Sequence, residues 1–449
     1  MNNEFYKELF DAAKAQAAKL GVEDFELFFS DGESVSCETF RDEISEFSSS
    51  RDGSVSARCV KGGKIGYATT QNVTKEEVCA IIRAAADNAS VIEKDDRAII
   101  FGAGAAYREV PKCAYAAPDV AYMKKYVMDC RNALYAADER VSDGSAAYMW
   151  ASSHFTRLMN SRGLDLSCEG GSVGVGVEAV LKIGGDKEEA GKFEHDCLET
   201  LDKTAMAKEA IERAESKFNG GKIASGSYDI VFEDKRVREI LDTFLCVFFA
   251  ERAQKGLSKI SKNNVGEKLA SDVVTIVDDP FFPGNTMQIA FDGEGVPSKT
   301  KNVIENGVLK TMLYNLNSAE KDGVEPTGNA SRSGSSIGTK VFSFYIKPGA
   351  FTRDELFAKV GNGIFVTEMK GFHAGADAVS GDFSIESEGF EIKDGKLGRR
   401  IKSFTVAGNF FDLLKAIEAV GDNLDFSGPG YSRVASPDIL VRGLSVAGE

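Results

Sequence analysis

Residues 219–255 read NGGKIASGSYDIVFEDKRVREILDTFLCVFFAERAQK, and the order of signals in this stretch divides the chain. Small and polar residues run from Asn219-Gly220-Gly221-Lys222 to Ser225-Gly226-Ser227 after a long helical pattern, the composition of a domain boundary. Tyr228 to Phe232 then reads as a strand, and Asp234 to Lys255 as a helix. On that helix Ile240, Leu241, Phe244, Leu245, Phe248 and Phe249 form a broad apolar face. The stretch predicts a two-domain α+β chain, with an N-terminal domain over 1–222 and a C-terminal domain over 226–449.

Upstream, the grammar is strand-rich. Met1 to Gly21 carries Phe5, Leu9, Ala13, Gln16 and Leu20 at helical spacing with Lys and Glu between, an amphipathic helix and not the basic, apolar, small-residue order of a signal peptide. Phe25 to Phe29 reads as a strand, with turn signals at Ser50–Gly53 and Lys61–Lys64. A helix over Thr74 to Ala89 follows, with Thr74 as N-cap and Glu77 three residues on. Later come strand His154 to Met159, turn Asn160–Gly163, strands Leu164 to Cys168 and Ser172 to Ile183, and helix Asp202 to Phe218. Two modules, at about 22–91 and 150–220, therefore read as an internal β-β-β-α repeat joined by a helix over Pro118 to Ala137.

Downstream, strands are expected at Val273–Val277, Met287–Phe291, Leu309–Tyr314, Val341–Ile346, Ile364–Glu368 and Ile439–Val446. Helices are expected at Asn317–Asp322, Thr352–Val360 and Asn409–Val420, with a hairpin turn at Lys393-Asp394-Gly395-Lys396. Strands dominate, which predicts a large, mostly antiparallel sheet with flanking helices.

The 449 residues carry a net charge of −15, so no global field attracts a phosphate backbone and nucleic acid is not an expected partner. The longest wholly apolar run, Phe244 to Ala250, is far short of the roughly 20 residues a spanning helix needs. Eight cysteines lie scattered without a C-x-x-C pair, which predicts reduced thiols and a cytoplasmic location.

Several short motifs fail on context. Gly170-Gly171-Ser172-Val173-Gly174 matches G-x-S-x-G, but it leads into an alternating strand instead of a helix, so Ser172 lacks the elbow a nucleophile needs. Gly334 to Lys340 is one residue short of a phosphate loop and ends Gly-Thr-Lys. Asp278, Asp279, Asp292 and Glu294 lack calcium-loop spacing and are read as turn and capping residues. A hydrolytic zinc usually takes two or three nitrogen ligands, and this chain holds only His154, His195 and His373, none close to another. His373, in Gly371-Phe372-His373-Ala374-Gly375, sits in a loop that can present its ring to a cleft.

The C-terminal phrases together carry a resemblance. They are Thr275-Ile276-Val277-Asp278-Asp279-Pro280, Phe291-Asp292-Gly293-Glu294-Gly295-Val296-Pro297, Ile304-Glu305-Asn306-Gly307-Val308-Leu309-Lys310, Pro326-Thr327-Gly328-Asn329, Ser380-Gly381-Asp382-Phe383-Ser384, Glu388-Gly389-Phe390-Glu391-Ile392 and Ala407-Gly408-Asn409. In this combination the chain resembles the TldD/PmbA family, once called modulators of DNA gyrase. The resemblance is strong from about Gly226 onward and weaker before it.

The resemblance implies a metallopeptidase (hydrolase) fold. TldD-type subunits carry H-E-x-x-x-H on a helix, with two histidines and a C-terminal cysteine on zinc and the glutamate as general base. The corresponding helix here, around Thr243, Phe244 and Phe248, has neither histidine nor glutamate in that stretch. Cys246 is the last cysteine, and Gly428-Pro429-Gly430-Tyr431 stands near the place of the missing one. The pattern resembles the PmbA (TldE) type, which implies a non-catalytic chain without zinc, paired with a metal-bearing TldD-type subunit as a heterodimer or else forming a homodimer. It also implies peptide substrates, with Asn329, His373, Ser380, Gly381, Asp382 and Phe383 as substrate-channel candidates. A self-associating peptide-binding or scaffold protein without peptidase activity is the alternative.

Overall fold

The computed structural model describes residues 3–93, 97–113 and 115–449. Its first part lays down α1 (Asn3–Lys19), β1 (Asp24–Phe40), β2 (Glu43–Lys61), β3 (Lys64–Thr70) and α2 (Lys75–Val91). The same order returns in α3 (Val120–Ala137), β4 (Ala146–Asn160), β5 (Asp165–Ile183), β6 (Asp186–His195) and α4 (Lys203–Glu215). Met1, at the head of the first expected helix, lies outside the described residues.

The six strands form one antiparallel sheet in the order β3-β2-β1-β4-β5-β6, so the two meanders meet along β1 and β4 and their third strands become its two outer edges. Local chemistry starts the helices. The Thr74 hydroxyl accepts the Glu77 N–H, Asp119 accepts from Ala121 and Tyr122, and Asp202 accepts from Thr204 and Ala205. Val78, Ile82 and Ala85 of α2 pack with Leu27, Val55 and Ala57, while Met206 and Ile211 of α4 pack with Val175 and Val177.

Two local expectations fail in this part. Ser50–Gly53 is not a turn but lies inside β2, facing Asp31–Ser34 of β1, with the Arg51 guanidinium bridging Asp31 and Glu33. The reversal is made by Arg41 and Asp42, with Arg41 at φ 56°. A solvated strand of Ser, Arg, Asp and Gly has turn composition without being a turn. Likewise Leu164–Cys168 and Ser172–Ile183 are not separate strands, because β5 runs unbroken through Glu169–Gly171.

The second part follows with β7 (Gly226–Phe232), α5 (Asp234–Phe244), α6 (Ala250–Gln254), β8 (Ile276–Asp279), β9 (Lys301–Glu305), β10 (Val308–Leu309) and α7 (Leu316–Asp322). Next come β11 (Ala330–Ser333), β12 (Ser336–Thr339), β13 (Ser343–Ile346), α8 (Arg353–Val360), β14 (Gly363–Lys370), α9 (Phe372–Gly375) and β15 (Asp382–Lys393). The chain ends through β16 (Lys396–Asn409), α10 (Phe410–Ala416), β17 (Ile417–Val420), β18 (Arg433–Ala435) and β19 (Ile439–Ala447). One sheet runs β10-β9-β8-β13-β18 and another β16-β15-β14-β7-β19-β17, and β16 also pairs with β19, so five strands close on themselves. Val237, Ile240, Leu241 and Phe244 of α5 pack with Ile230, Val366, Ile385 and Val406 of those strands.

The expected helix over Asp234–Lys255 is interrupted. α5 stops at Phe244, Leu245–Phe248 forms a tighter 3-10 turn, and Phe249 is extended at φ −81° and ψ 118° before α6. The break lets the Leu313 N–H reach the Phe248 carbonyl at 2.8 Å and the Ala250 N–H reach the Leu313 carbonyl at 3.0 Å. Thr243 and Phe244 therefore end a helix, while Phe248 belongs to the turn. Phe244 stacks on Phe410 at 4.8 Å and Phe248 meets Phe344 at 6.0 Å, so both serve the core. The helix expected over Asn409–Val420 ends at Ala416, since Ile417–Val420 pairs with β19 instead, the better use of a β-branched pair beside an open strand. Met287–Phe291 makes no strand beyond a bridge from Phe291 to Pro297, and within Leu309–Tyr314 only Leu309 belongs to a named strand.

Candidate functional site

β6 pairs only with β5 among the described strands, and its free side opens on a cleft of about 1400 Å³ between the two parts of the chain. Residues 187–195 form one wall. Opposite stand Glu233, Lys235, Arg236 and Arg238 at the start of α5, residues of β14 and β15, and the loop Asp425–Gly428. Ion pairs brace the cleft across its walls. Lys217 reaches Glu368 at 3.0 Å, and Lys402 on β16 grips Glu188 on β6. One links the segment just after α4, and the other links β6, to the C-terminal sheet.

The charges are mostly matched. Lys192 meets Glu194 at 3.1 Å and Glu209 at 3.2 Å, Lys370 meets Glu388 at 3.3 Å, and Arg400 also holds Glu388. Burial pushes the Glu233 carboxyl up and the Lys235 ammonium down from their ordinary values. Glu233 precedes α5 as its N-cap residue without a side-chain cap hydrogen bond. The cleft wall thus contains an acid and a base that burial drives toward neutrality.

Two distant stretches meet here. The Arg238 guanidinium of α5 donates to the Ser427 hydroxyl, next to Gly428-Pro429-Gly430-Tyr431. His195 and His154 flank that segment. His195 packs edge-on against Trp150 at 5.3 Å beneath Gly428, where a Cβ would meet the imidazole at 2.6 Å. His154 packs edge-on against Tyr431 at 4.7 Å, and the Tyr431 hydroxyl lies 2.9 Å from the Cys168 thiol. Burial lowers both imidazole pKa values, so both rings favour the neutral form. Sequence spacing concealed this convergence, since Tyr431 and His154 are 277 residues apart by number and joined only through the fold. At the helix–loop junction the donors are a guanidinium and a hydroxyl, which do not fit zinc. Among the described residues no group of three or more His, Cys, Asp or Glu is placed to hold a metal ion.

The glycines of the G-x-S-x-G match lie within β5, where a Cβ on Gly170 would stand 2.6 Å from the Tyr431 hydroxyl and 2.8 Å from His154. They permit close approach, not nucleophile presentation. Gly334 begins the turn between β11 and β12, and its carbonyl accepts the Ser56 hydroxyl at 2.8 Å.

The residues proposed from the sequence for a substrate channel fall in two places, and none lines the cleft. Asn329 is buried and donates to Asp278 at 2.7 Å and to the Lys340 carbonyl at 2.9 Å. His373 is exposed on α9. Ser380, Gly381 and Asp382 form the nearby turn into β15, tied down by the Asn409 amide, which donates to the Ser380 carbonyl and the Asp382 carboxylate. Phe383 is buried in the core.

The acidic quartet braces loops. Asp278 accepts from the Phe342 N–H, Asn329 and Lys301, and Asp279 accepts from the Phe281 N–H and Thr300. Asp292 accepts three backbone N–H bonds, from Glu294, Val296 and Ala330, while burial and the nearby Glu294 charge push its carboxyl up to about 7. Glu294 caps α7 through the Leu316 N–H and pairs with Arg58 at 3.1 Å. Arg58 also meets Glu26, which Arg332 holds in turn, so four buried charges join the two parts of the chain.

Comparison with known proteins agrees with this architecture. Family models match over three spans: PmbA/TldA metallopeptidase domain 1 at 25–89, the central domain at 115–218 and the C-terminal domain at 225–448. A metalloprotease of Methanothermobacter thermautotrophicus is 29% identical over 310 residues, covering 65% of this chain and 67% of its own. A Thermotoga maritima structure described as that of a modulator of a DNA gyrase superposes with a TM-score of 0.88 at 28% identity, over 98% of this chain and 100% of the other. TldE of Thermococcus kodakarensis shares the fold, with a TM-score of 0.87 at 23% identity over 98% and 100% of the two chains. No helix among the described residues is long and apolar enough to cross a membrane. With its three consecutive spans matched and its fold shared from end to end, the chain belongs to the PmbA/TldD metallopeptidase family.

Proposed function

We propose that this chain is the metal-free subunit of a PmbA/TldD-type zinc metallopeptidase assembly in the cytoplasm, where it helps enclose the chamber in which unfolded or modified peptides are cut. The observation that carries the reading is the meeting of α5 with the loop before Tyr431 in the cleft wall, where Arg238 and Ser427 stand and no zinc donor set does. A second support is the free side of β6, whose backbone can pair with an extended peptide by strand addition. Zinc is then expected in a TldD-type partner, and this chain contributes wall and capture surface.

Purification from its host tests this. The expected result is recovery with a metal-bearing relative, with peptidase activity on an unfolded protein only in the joint preparation and no stoichiometric zinc in this chain alone. One zinc per isolated chain, with hydrolysis by that preparation, would overturn the reading. Recovery only as an inactive homodimer would favour a self-associating scaffold.

A further inference from the structure

The cleft holds a cation that the fold does not use. Lys235, the second residue of α5, lies half-buried in the cleft wall and makes no ion pair or hydrogen bond through its side chain among the described residues. Its basic neighbours are engaged. Lys192 is held by Glu194 and Glu209, Arg213 by Glu209, Arg236 by Glu239 at 3.0 Å, and Arg238 by Ser427. Its acidic chain neighbours Glu233 and Asp234 attract it, but neither forms an ion pair with it among the described residues. Asp234 faces Arg353 at 3.9 Å, and burial raises the carboxyl pKa values of both Asp234 and Glu233. Lys192 and Arg213 are close enough to add repulsion at Lys235. A half-buried ammonium with two cations near it and no ion pair of its own among the described residues can take an incoming monoanion.

The opposite wall says what can bring that anion. Along the free side of β6 the Gly191 carbonyl points outward, where the Arg213 guanidinium donates to it at 3.3 Å, and no second strand pairs there among the described residues. A peptide laid along this edge gains main-chain hydrogen bonds and passes Lys192 and Arg213, whose charges also act on Lys235. Acidic side chains are interleaved with basic ones throughout the lining, which disfavours a polyanion and suits a single carboxylate.

We propose that Lys235 anchors the free C-terminal carboxylate of a peptide extended along β6, so that the chain selects peptides by their C-terminal end. This rests on the cleft being the peptide site.

The test uses the full chain and fluorescent unfolded peptides of one sequence, ending in a free carboxylate or an amide, with a third amidated and carrying a glutamate near its end. Binding is read by anisotropy. Amidation removes a charge-assisted hydrogen bond and should weaken binding to the native chain by about tenfold or more. Lys235→Gln should bind acid and amide alike, at the level of the amide, and Lys235→Arg should restore the preference. Equal binding of acid and amide by the native chain overturns the proposal and leaves the peptide cleft standing. A glutamate-bearing amide that binds as tightly as the free acid overturns the terminal assignment in favour of a side-chain carboxylate. Failure of all three peptides to bind overturns the peptide cleft itself.

Discussion

β3 and β6 are the two outer strands of one sheet, third members of meanders built in the same order, yet the fold treats them differently. β3 has 7 residues, and α2 holds it down: the Asn88 amide donates to the Tyr67 carbonyl at 2.8 Å, and Lys64 donates to the Ile92 carbonyl at 2.9 Å. β6 has 10 residues, and apart from the Arg213 guanidinium on its Gly191 carbonyl its outer side faces the cleft. Protein edges are usually blocked to prevent unwanted pairing. One edge here follows that rule and the other is kept available inside a walled space, which is how an edge can receive a peptide without inviting aggregation.

The comparison can be broken at several points. The largest effect is expected at the junction that fixes the closed side to the C-terminal domain. Arg58→Ala leaves Glu26 and Glu294 buried without their shared partner, and should cost about 3–5 kcal/mol, read as a fall in the denaturation midpoint. A pH scan examines the same junction. The fold raises the Asp292 pKa from 3.8 to about 7, so the folded state prefers the protonated acid. The stability this group contributes should be fully present below about pH 4 and be lost as pH rises through about 7. A flat profile across that window would mean that its three backbone donors keep it ionised.

At the closed edge, a Cβ on Gly66 would run into the backbone of Ala85 and Ala89. Gly66→Val should therefore destabilise by about 1–3 kcal/mol in a thermal melt. Thr74→Ala removes the cap of the helix that covers this edge and should cost about 1 kcal/mol. At the open edge, a Cβ on Gly191 would find its nearest neighbours at 3.4 and 3.5 Å, ordinary contact. Gly191→Ala should stay within about 0.5 kcal/mol of the native chain. Equal losses at Gly66 and Gly191 would erase the distinction between the two edges.

Much of this was legible locally. Thr74 with Glu77 and Asp202 ahead of its helix act over a few residues, and such signals survive into the fold because nothing distant competes with them. The misreadings share a cause. Phe248 and Ala250 suit a helix until Leu313 offers them backbone partners, and Ile417–Val420 suits one until β19 lies alongside. Ser50–Gly53 was read as a turn because exposed strands and turns share polar composition. Of the channel candidates, Phe383 is buried in the core and Asn329 is buried among polar partners, a depth on which short phrases say nothing.

The amino-acid order alone determined the α+β character and the lack of histidine and glutamate on the 243–248 stretch, since each depends on residue type and near spacing. Only the tertiary structure decided that β6 would keep an open edge, that His154 and His195 would flank the Gly428–Tyr431 segment, and that Lys235 would stand in the cleft wall with no ion pair among the described residues. Those outcomes arise from burial and pairing between segments far apart in the chain, where desolvation and shape, not local propensity, select the arrangement.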